Sequence, residues 1–359
     1  MERAYISERG RRIPPSPIRK LAPLADEAKR RGVKIYHLNI GQPDIETPPE
    51  VFQAIKDYKE KVLSYGPSGG LASLRLAIRE YFEAYGITLD IDDIWITTGG
   101  SEAILFSFLF TCDPGDEIIT FEPFYPNYNG FAHMASVRLV PILTEPEKGF
   151  RLPPKKEIER SITPKTRAII ITNPNNPTGV VYTQEELFIL SKICERNNLF
   201  LISDEVYREF VYDKGVHISA LSLPGMEKRV IVVDSISKRF SMCGARVGYF
   251  ISRNRKVMQT VLKFAQARLC PPTLEQIGAI SAFKYMHRYM KSMIREYEER
   301  RDILYSEITK IPGIMVRKPQ GAFYMMPKLP VKNTERFACL LYTSPSPRDR
   351  TRSRMPSSA

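Results

Sequence analysis

Between about residue 90 and residue 255, short apolar runs rich in Ile and Val alternate with amphipathic stretches. This is the pattern of an α/β domain with a mainly parallel sheet, whose strands are buried on both faces. The runs cover residues 94–97, 117–121, 168–172, 199–203, 230–233 and 247–251. Most are followed at once by a polar, turn-forming cluster: TGGSEA, EPFYPNY, NPNNPTG, DEVY or DSISK. In open α/β sheets ligands bind outside the carboxyl ends of the strands, so clusters far apart in sequence can meet in one crevice. Residues 71–85 carry apolar positions at helical spacing, and 273–309 read as long, charged amphipathic helices, TLEQIGAISAFKYMHRYM and IREYEERRDILYSEI. The stretch IPGIMVRKPQGAFYMMPKLP then predicts a turn, a strand, a second strand at GAFY and a proline-bounded end. That last region reads as a smaller domain packed on the first.

The length of 359 residues allows two domains, and 43% hydrophobic with 26% charged residues is the balance of a soluble globular chain. No uncharged apolar run is long enough for a membrane span. The N-terminus, MERAYISERGRRIPPSPIRK, lacks the apolar core of a secretory signal, so a cytoplasmic protein without membrane attachment is expected. Five scattered cysteines without CxxC spacing and four histidines without metal spacing predict neither disulfides nor a metal site. The net charge of +13 invites a nucleic-acid reading, but the basic residues are interleaved with Glu and Asp, as in MIREYEERRD, and no nucleic-acid-binding motif accompanies them. From Cys339 the text becomes CLLYTSPSPRDRTRSRMPSSA, almost without apolar residues after Tyr342, and is expected to be a disordered, non-native tail interrupting the helix that ERFACLL begins.

The strand-end clusters contain the parts that a planar, phosphate-bearing aldehyde cofactor needs. In TTGGSEA the backbone N–H groups of Gly100, Ser101 and Glu102 stand at a helix start, where an anion is favoured; a plain helix cap is the alternative. FYPNY offers Tyr125 as a stacking platform, or simply as packing. NPNNPTG fixes a turn that leaves Asn176 free to donate. In ISDEVYREF, Asp204 falls at a buried strand end, where an unpaired carboxylate is unfavourable and needs a cationic partner such as a pyridinium N–H. The competing assignment is a helix N-cap Asp followed by a solvated Glu205. Tyr207 lies three residues on. SISKRFSMCGARVGY combines Lys238, able to hold an aldehyde, with Ser235 and Arg246 as a phosphate clamp. SISK also has the serine-to-lysine spacing of penicillin-recognising acyltransferases, but neither SDN nor KTG follows.

The ordered set TGGSEA, PFYPNY, NPNNPTG, SDEVY and SISK followed by GARVGY resembles the fold-type I, class I/II aminotransferases dependent on pyridoxal 5'-phosphate. HLNIGQPDIETP and YGPSGGLASLRLAI resemble the aspartate aminotransferase-like branch, and the likeness covers about residues 5–338. It implies a large domain with a mainly parallel seven-stranded sheet flanked by helices and a smaller, incomplete α/β domain. The implied division is an N-terminal arm at 1–45, a cofactor domain at 46–270, a C-terminal unit at 271–338 and the tail at 339–359. It further implies that Lys238 forms the internal aldimine, Asp204 keeps the ring nitrogen protonated, Asn176 and Tyr207 contact the cofactor's O3' oxygen, and Tyr125 stacks on its ring. Gly100, Ser101, Glu102, Ser235 and Arg246 would bind the phosphate, with Tyr65 arriving from the neighbouring subunit of a homodimer. Gly41 and Asn176 would line the substrate pocket. The implied reaction moves an amino group between an amino acid and a 2-oxo acid, with elimination on the same scaffold, or an impaired truncated product, as alternatives. The family's carboxylate-binding arginine, expected beyond GAFY, has no match in the stretch containing Arg348, Arg350, Arg352 and Arg354.

Overall fold

The computed structural model describes residues 5–16 and 19–343. The described residues form a seven-stranded sheet in the order β1-β7-β6-β5-β4-β2-β3. Its strands are β1 (Ile94–Thr98), β2 (Glu117–Glu122), β3 (Arg138–Leu143), β4 (Thr166–Thr172), β5 (Phe200–Asp204), β6 (Val230–Ser235) and β7 (Val247–Ile251). The pairs β2/β3, β2/β4, β4/β5 and β5/β6 are parallel, whereas β7 runs antiparallel to both β1 and β6. The carboxyl ends of the other six strands therefore share one edge of the sheet, and the segment leading into β7 starts from that edge.

Alternation along the strands supplies two cores. Ile169 and Ile171 of β4, Leu201 of β5 and Val230 and Val232 of β6 join one cluster, which includes residues of the helices Ala72–Glu83, Gln184–Arg196 and Thr273–Lys284. Ala168 and Ile170, Ile202, Ile231 and Val233 join the other, with residues of Gly99–Thr111, Asn127–Ala135 and Arg255–Arg268. Period-two side chains buried on both faces are what the near-continuous Ile/Val runs require.

Three expectations need correction. The strand β3 was not predicted; it is an edge strand paired only with β2, and it carries Pro141, which an edge tolerates. The region 311–330 forms no strands: it makes only the single bridges Met315↔Lys328 and Val211↔Gly321. Pro319, Pro327 and Pro330 remove backbone donors there, and its N–H groups bond loops instead, Gly321 to the carbonyl of Gly179 and Ala322 to that of Phe210. The two long helices, read from sequence as 273–290 and 294–308, are Thr273–Lys284 and Met286–Thr309, divided at Tyr285. The helix beginning at ERFACLL is present as Thr334–Thr343, and Arg348, Arg350, Arg352 and Arg354 lie outside the described residues. Among the described residues no helix is long and apolar enough to cross a membrane.

Candidate active site

A cavity of about 670 Å³ opens at the carboxyl edge of the sheet, lined by side chains or backbone of Gly41, Gly100, Ser101, Tyr125, Asn176, Asp204, Tyr207, Ser235, Lys238 and Arg246. Of the residues predicted from sequence, only Glu102 and Tyr65 are not in its lining. The Glu102 carboxylate accepts from the Thr98 backbone N–H at 2.8 Å and pairs with Arg268 at 3.2 Å, so it closes the helix start rather than facing the cavity. Tyr65 is 80% exposed.

The glycines make the helix start compact. Gly99 has φ +71°, and a Cβ there would overlap the Arg246 guanidinium. A Cβ at Gly248 would run into the backbone of Gly99 and Gly100, so β7 packs directly on the first turn of the helix. Arg246 itself sits at φ 52° and donates to the Cys243 carbonyl at 3.0 Å. Among the described residues it has no carboxylate partner, which leaves a cation facing the N–H groups of a helix N-terminus.

Asp204 is the electrostatic centre. It is 5% exposed at the end of β5 and accepts from the Tyr128 hydroxyl at 2.8 Å and, more weakly, from the Val206 N–H at 3.4 Å. Burial pushes its carboxyl up to about 7, and the Tyr128 hydrogen bond pulls only partly against it. No cation among the described residues pairs with it. The alternative assignment of a solvated Glu205 fails: Glu205 is fully buried and is held by His217 Nε2 at 3.1 Å, Ser219 Oγ at 3.0 Å and the Ala220 N–H at 2.8 Å. Burial alone would raise its carboxyl, but His217, Arg208 and the Ala220 N–H bring it below the usual range.

Lys238 is half-buried, and its Nζ donates to the Gly41 carbonyl at 2.6 Å, with Cys243 Sγ at 3.6 Å. Its neighbour Arg239 is fully buried, bound to Asp234 and Glu209 at 2.8 Å and to the Tyr249 hydroxyl at 2.7 Å. That anchor fixes the turn after β6 from which Lys238 enters the cavity. Ser235 caps this turn: its Oγ accepts from the Ser237 N–H at 3.1 Å and donates to the Val247 carbonyl at 2.9 Å. The hydroxyl is thus already engaged, and Ser237 also lines the cavity. On the opposite wall Asn176 Nδ2 donates to the Tyr207 hydroxyl at 3.5 Å, and the Tyr125 hydroxyl accepts from Asn127 at 2.7 Å.

Sequence reasoning missed Tyr128, Ser237, Arg239 and Tyr324. Tyr128 belonged to the quoted FYPNY, and its place shortly after a strand end, six residues past Glu122, was the available signal; Tyr324 closes the GAFY motif. Arg19 also lines the cavity from the N-terminal segment, and no signal in its surroundings singled it out.

A lysine, a buried acid without a cation and an anion-favouring helix start are thus gathered at one edge of the α/β sheet. The family model for aminotransferase class I and II matches residues 33–344. An aspartate aminotransferase from Sulfolobus acidocaldarius is 36% identical over 84% of this chain and 76% of its own length. An aromatic-amino-acid aminotransferase from Thermococcus litoralis is 35% identical over 90% of this chain and 83% of its own. The solved structure of an alanine aminotransferase from Pyrococcus furiosus superimposes with a TM-score of 0.87 at 35% identity, covering 94% of this chain and 88% of that one. The chain belongs to the class I and II aminotransferase family and has its fold-type I architecture.

Proposed function

We propose that the chain binds pyridoxal 5'-phosphate in this cavity, on Lys238, and transfers an amino group between an amino acid and a 2-oxo acid. The observation that carries the cofactor assignment is Asp204, a buried carboxyl raised to about 7 with no cation beside it. A ring nitrogen bearing a proton is a partner of the right charge and size. Arg246, without a carboxylate partner and beside Gly99 and Gly100, fits a phosphate in the same way.

In this reading Asp204, oriented by Tyr128, holds the proton on the ring nitrogen, and Tyr125 walls one face of the ring. The N–H groups of Gly100 and Ser101 with Arg246 and Ser235 hold the phosphate, while Glu102 contributes through the helix start alone. Asn176 and Tyr207 orient the ring through its phenolic oxygen. When bound, the cofactor supplies an electron sink for the pair released on breaking the substrate Cα–H bond. The Lys238 amine would take the proton from the substrate's Cα and deliver it to the carbon of the cofactor's former aldehyde group, as amino transfer rather than simple proton return requires. Gly41 and Asn176 line the end of the pocket that receives the substrate.

Tyr65 supports a homodimer with shared sites, because an 80% exposed side chain outside its own cavity is free to serve a neighbour's. The division at 1–45, 46–270 and 271–338 belongs to the same reading: the Gly41 loop and Tyr324 come from the outer units and close over a cavity built on the central one. We place the enzyme in the cytoplasm, a reading supported by its scattered free cysteines. The relatives' names span aspartate, aromatic and alanine substrates, so a reaction class is proposed rather than one substrate.

The test is to load the protein with cofactor, add single amino acids and follow the visible absorbance. Loss of the band with one equivalent of 2-oxo acid per site, abolished in Lys238→Ala, is expected. Release of ammonia with the oxo acid would instead mark elimination, and a band independent of Lys238 would overturn the assignment.

A further inference from the structure

Tyr324 enters the cavity wall from the C-terminal segment and has no part in the chemistry described so far. Its ring stacks on Phe323 with centroids 5.2 Å apart and meets Tyr207 edge-on at 5.4 Å. Its hydroxyl hydrogen-bonds the Tyr207 hydroxyl and fills the place a Cβ would take at Gly41. The Gly41 carbonyl in turn accepts from Lys238 Nζ at 2.6 Å, and Asn176 Nδ2 reaches the Tyr207 oxygen at 3.5 Å. One hydroxyl thus connects the loop that holds the lysine to the phenol on the opposite wall.

We propose that Tyr324 is a positioning residue for amino transfer: it donates to the Tyr207 oxygen, so that the Tyr207 proton is turned towards the cofactor's phenolic oxygen, and it seats the Gly41 loop against Lys238. The proposal rests on the cofactor reading above. Two phenols carry two protons, and their mutual bond uses one. With Tyr324 and Asn176 both donating to the Tyr207 oxygen, the remaining proton belongs to Tyr207 and is free for a third partner. A hydroxyl that accepts two hydrogen bonds is polarised into a stronger donor. Burial holds both phenols well above their ordinary range, so both protons stay in place at working pH. The other ionisable groups facing the pair are Tyr125, Asp204 and Cys243, with Lys238 beyond Gly41.

A stronger donor would draw charge from the cofactor's phenolic oxygen and so lower the pH at which the bound cofactor's visible absorbance changes. Removing the Tyr324 hydroxyl should reverse that. In cofactor-loaded protein, Tyr324→Phe is expected to raise the pH midpoint of the visible absorbance change by about half a unit or more. In a Tyr207→Phe background the same substitution should add almost nothing, because the effect passes through Tyr207. Gly41→Ala keeps the hydroxyl but crowds it off Tyr207, and should raise the midpoint in the same direction. An unchanged or lowered midpoint in Tyr324→Phe, or an equal shift without the Tyr207 hydroxyl, overturns the proposal alone. A wild-type protein with no Lys238-dependent band overturns the cofactor reading and the proposal with it.

Discussion

Two aspartates at the carboxyl ends of neighbouring strands have opposite surroundings. Asp234, at the end of β6, is fully buried and bound by Arg239 at 2.8 Å, the Tyr249 hydroxyl at 2.6 Å and the Ser235 N–H at 2.6 Å. Asp204, at the end of β5, is almost as buried but has a hydroxyl, one long backbone contact and no cation. Burial raises both carboxyls, and at Asp234 the Arg239 guanidinium pulls against that rise. A buried acid supplied with its cation is architecture, and one left without it is a candidate for the binding role proposed above. The contrast also separates two neighbours in one turn: Arg239 is locked into a buried ion-pair cluster, and Lys238 beside it enters the cavity, where the proposed function uses it.

The contrast can be broken from either end. Asp204→Asn should lower amino transfer by about a thousandfold or more, because the ring nitrogen loses the group that keeps it protonated, while the thermal midpoint of the cofactor-free fold does not fall. A matching loss of stability would mean that Asp204 is structural. Arg239→Ala should do the reverse. Leaving Asp234 and Glu209 buried without their cation destabilises the fold by about 3–5 kcal/mol, read by denaturant unfolding.

A smaller effect is the pH dependence of the cofactor-free protein. The Asp204 carboxyl stands at about 7 folded against an ordinary 3.8, so between those values the folded state binds the extra proton. Its contribution to stability therefore falls as pH rises through that window, by up to roughly 4 kcal/mol in total, and is relieved below it. Thermal midpoints at about pH 5.5 and pH 8 should differ in this direction in wild type and converge in Asp204→Asn. The mildest change is Tyr128→Phe. Removing the hydroxyl that bonds Asp204 and Thr172 should raise the Asp204 titration further and lower stability by about 1–2 kcal/mol, measured by the same unfolding curves.

What the chain disclosed in advance follows the same physics. Six strands were legible because double-faced burial demands unbroken Ile/Val runs, and their polar ends were legible because a sheet edge collects them. The strand β3 was not, since its edge position leaves most of its residues partly exposed and admits Pro141. The pair of strands expected around GAFY needs a neighbouring strand to complete them, and the backbone there bonds to the loops at Gly179 and Phe210 instead. Within the site, residues defined by a local cluster were visible: Lys238, Asp204, Asn176 and Tyr125. Those defined by a contact across the fold were not: Tyr324 closes GAFY, which was read as a strand, and only its contacts with Gly41 and Tyr207 show its place in the cavity. Glu102 was read for its backbone N–H at the helix start, and the role of its carboxylate, paired with the Thr98 N–H and Arg268, was not legible because both partners lie outside its own turn of the helix.

The central claim is that the cationic partner missing from Asp204 is the protonated ring nitrogen of the cofactor. It is tested most directly by the nitrogen-15 chemical shift of that atom in protein loaded with labelled cofactor. The nitrogen should be protonated in wild type up to about pH 8 and unprotonated in Asp204→Asn, in line with the charge pairing argued here. An unprotonated nitrogen in wild type, or one indifferent to Asp204, would contradict the account.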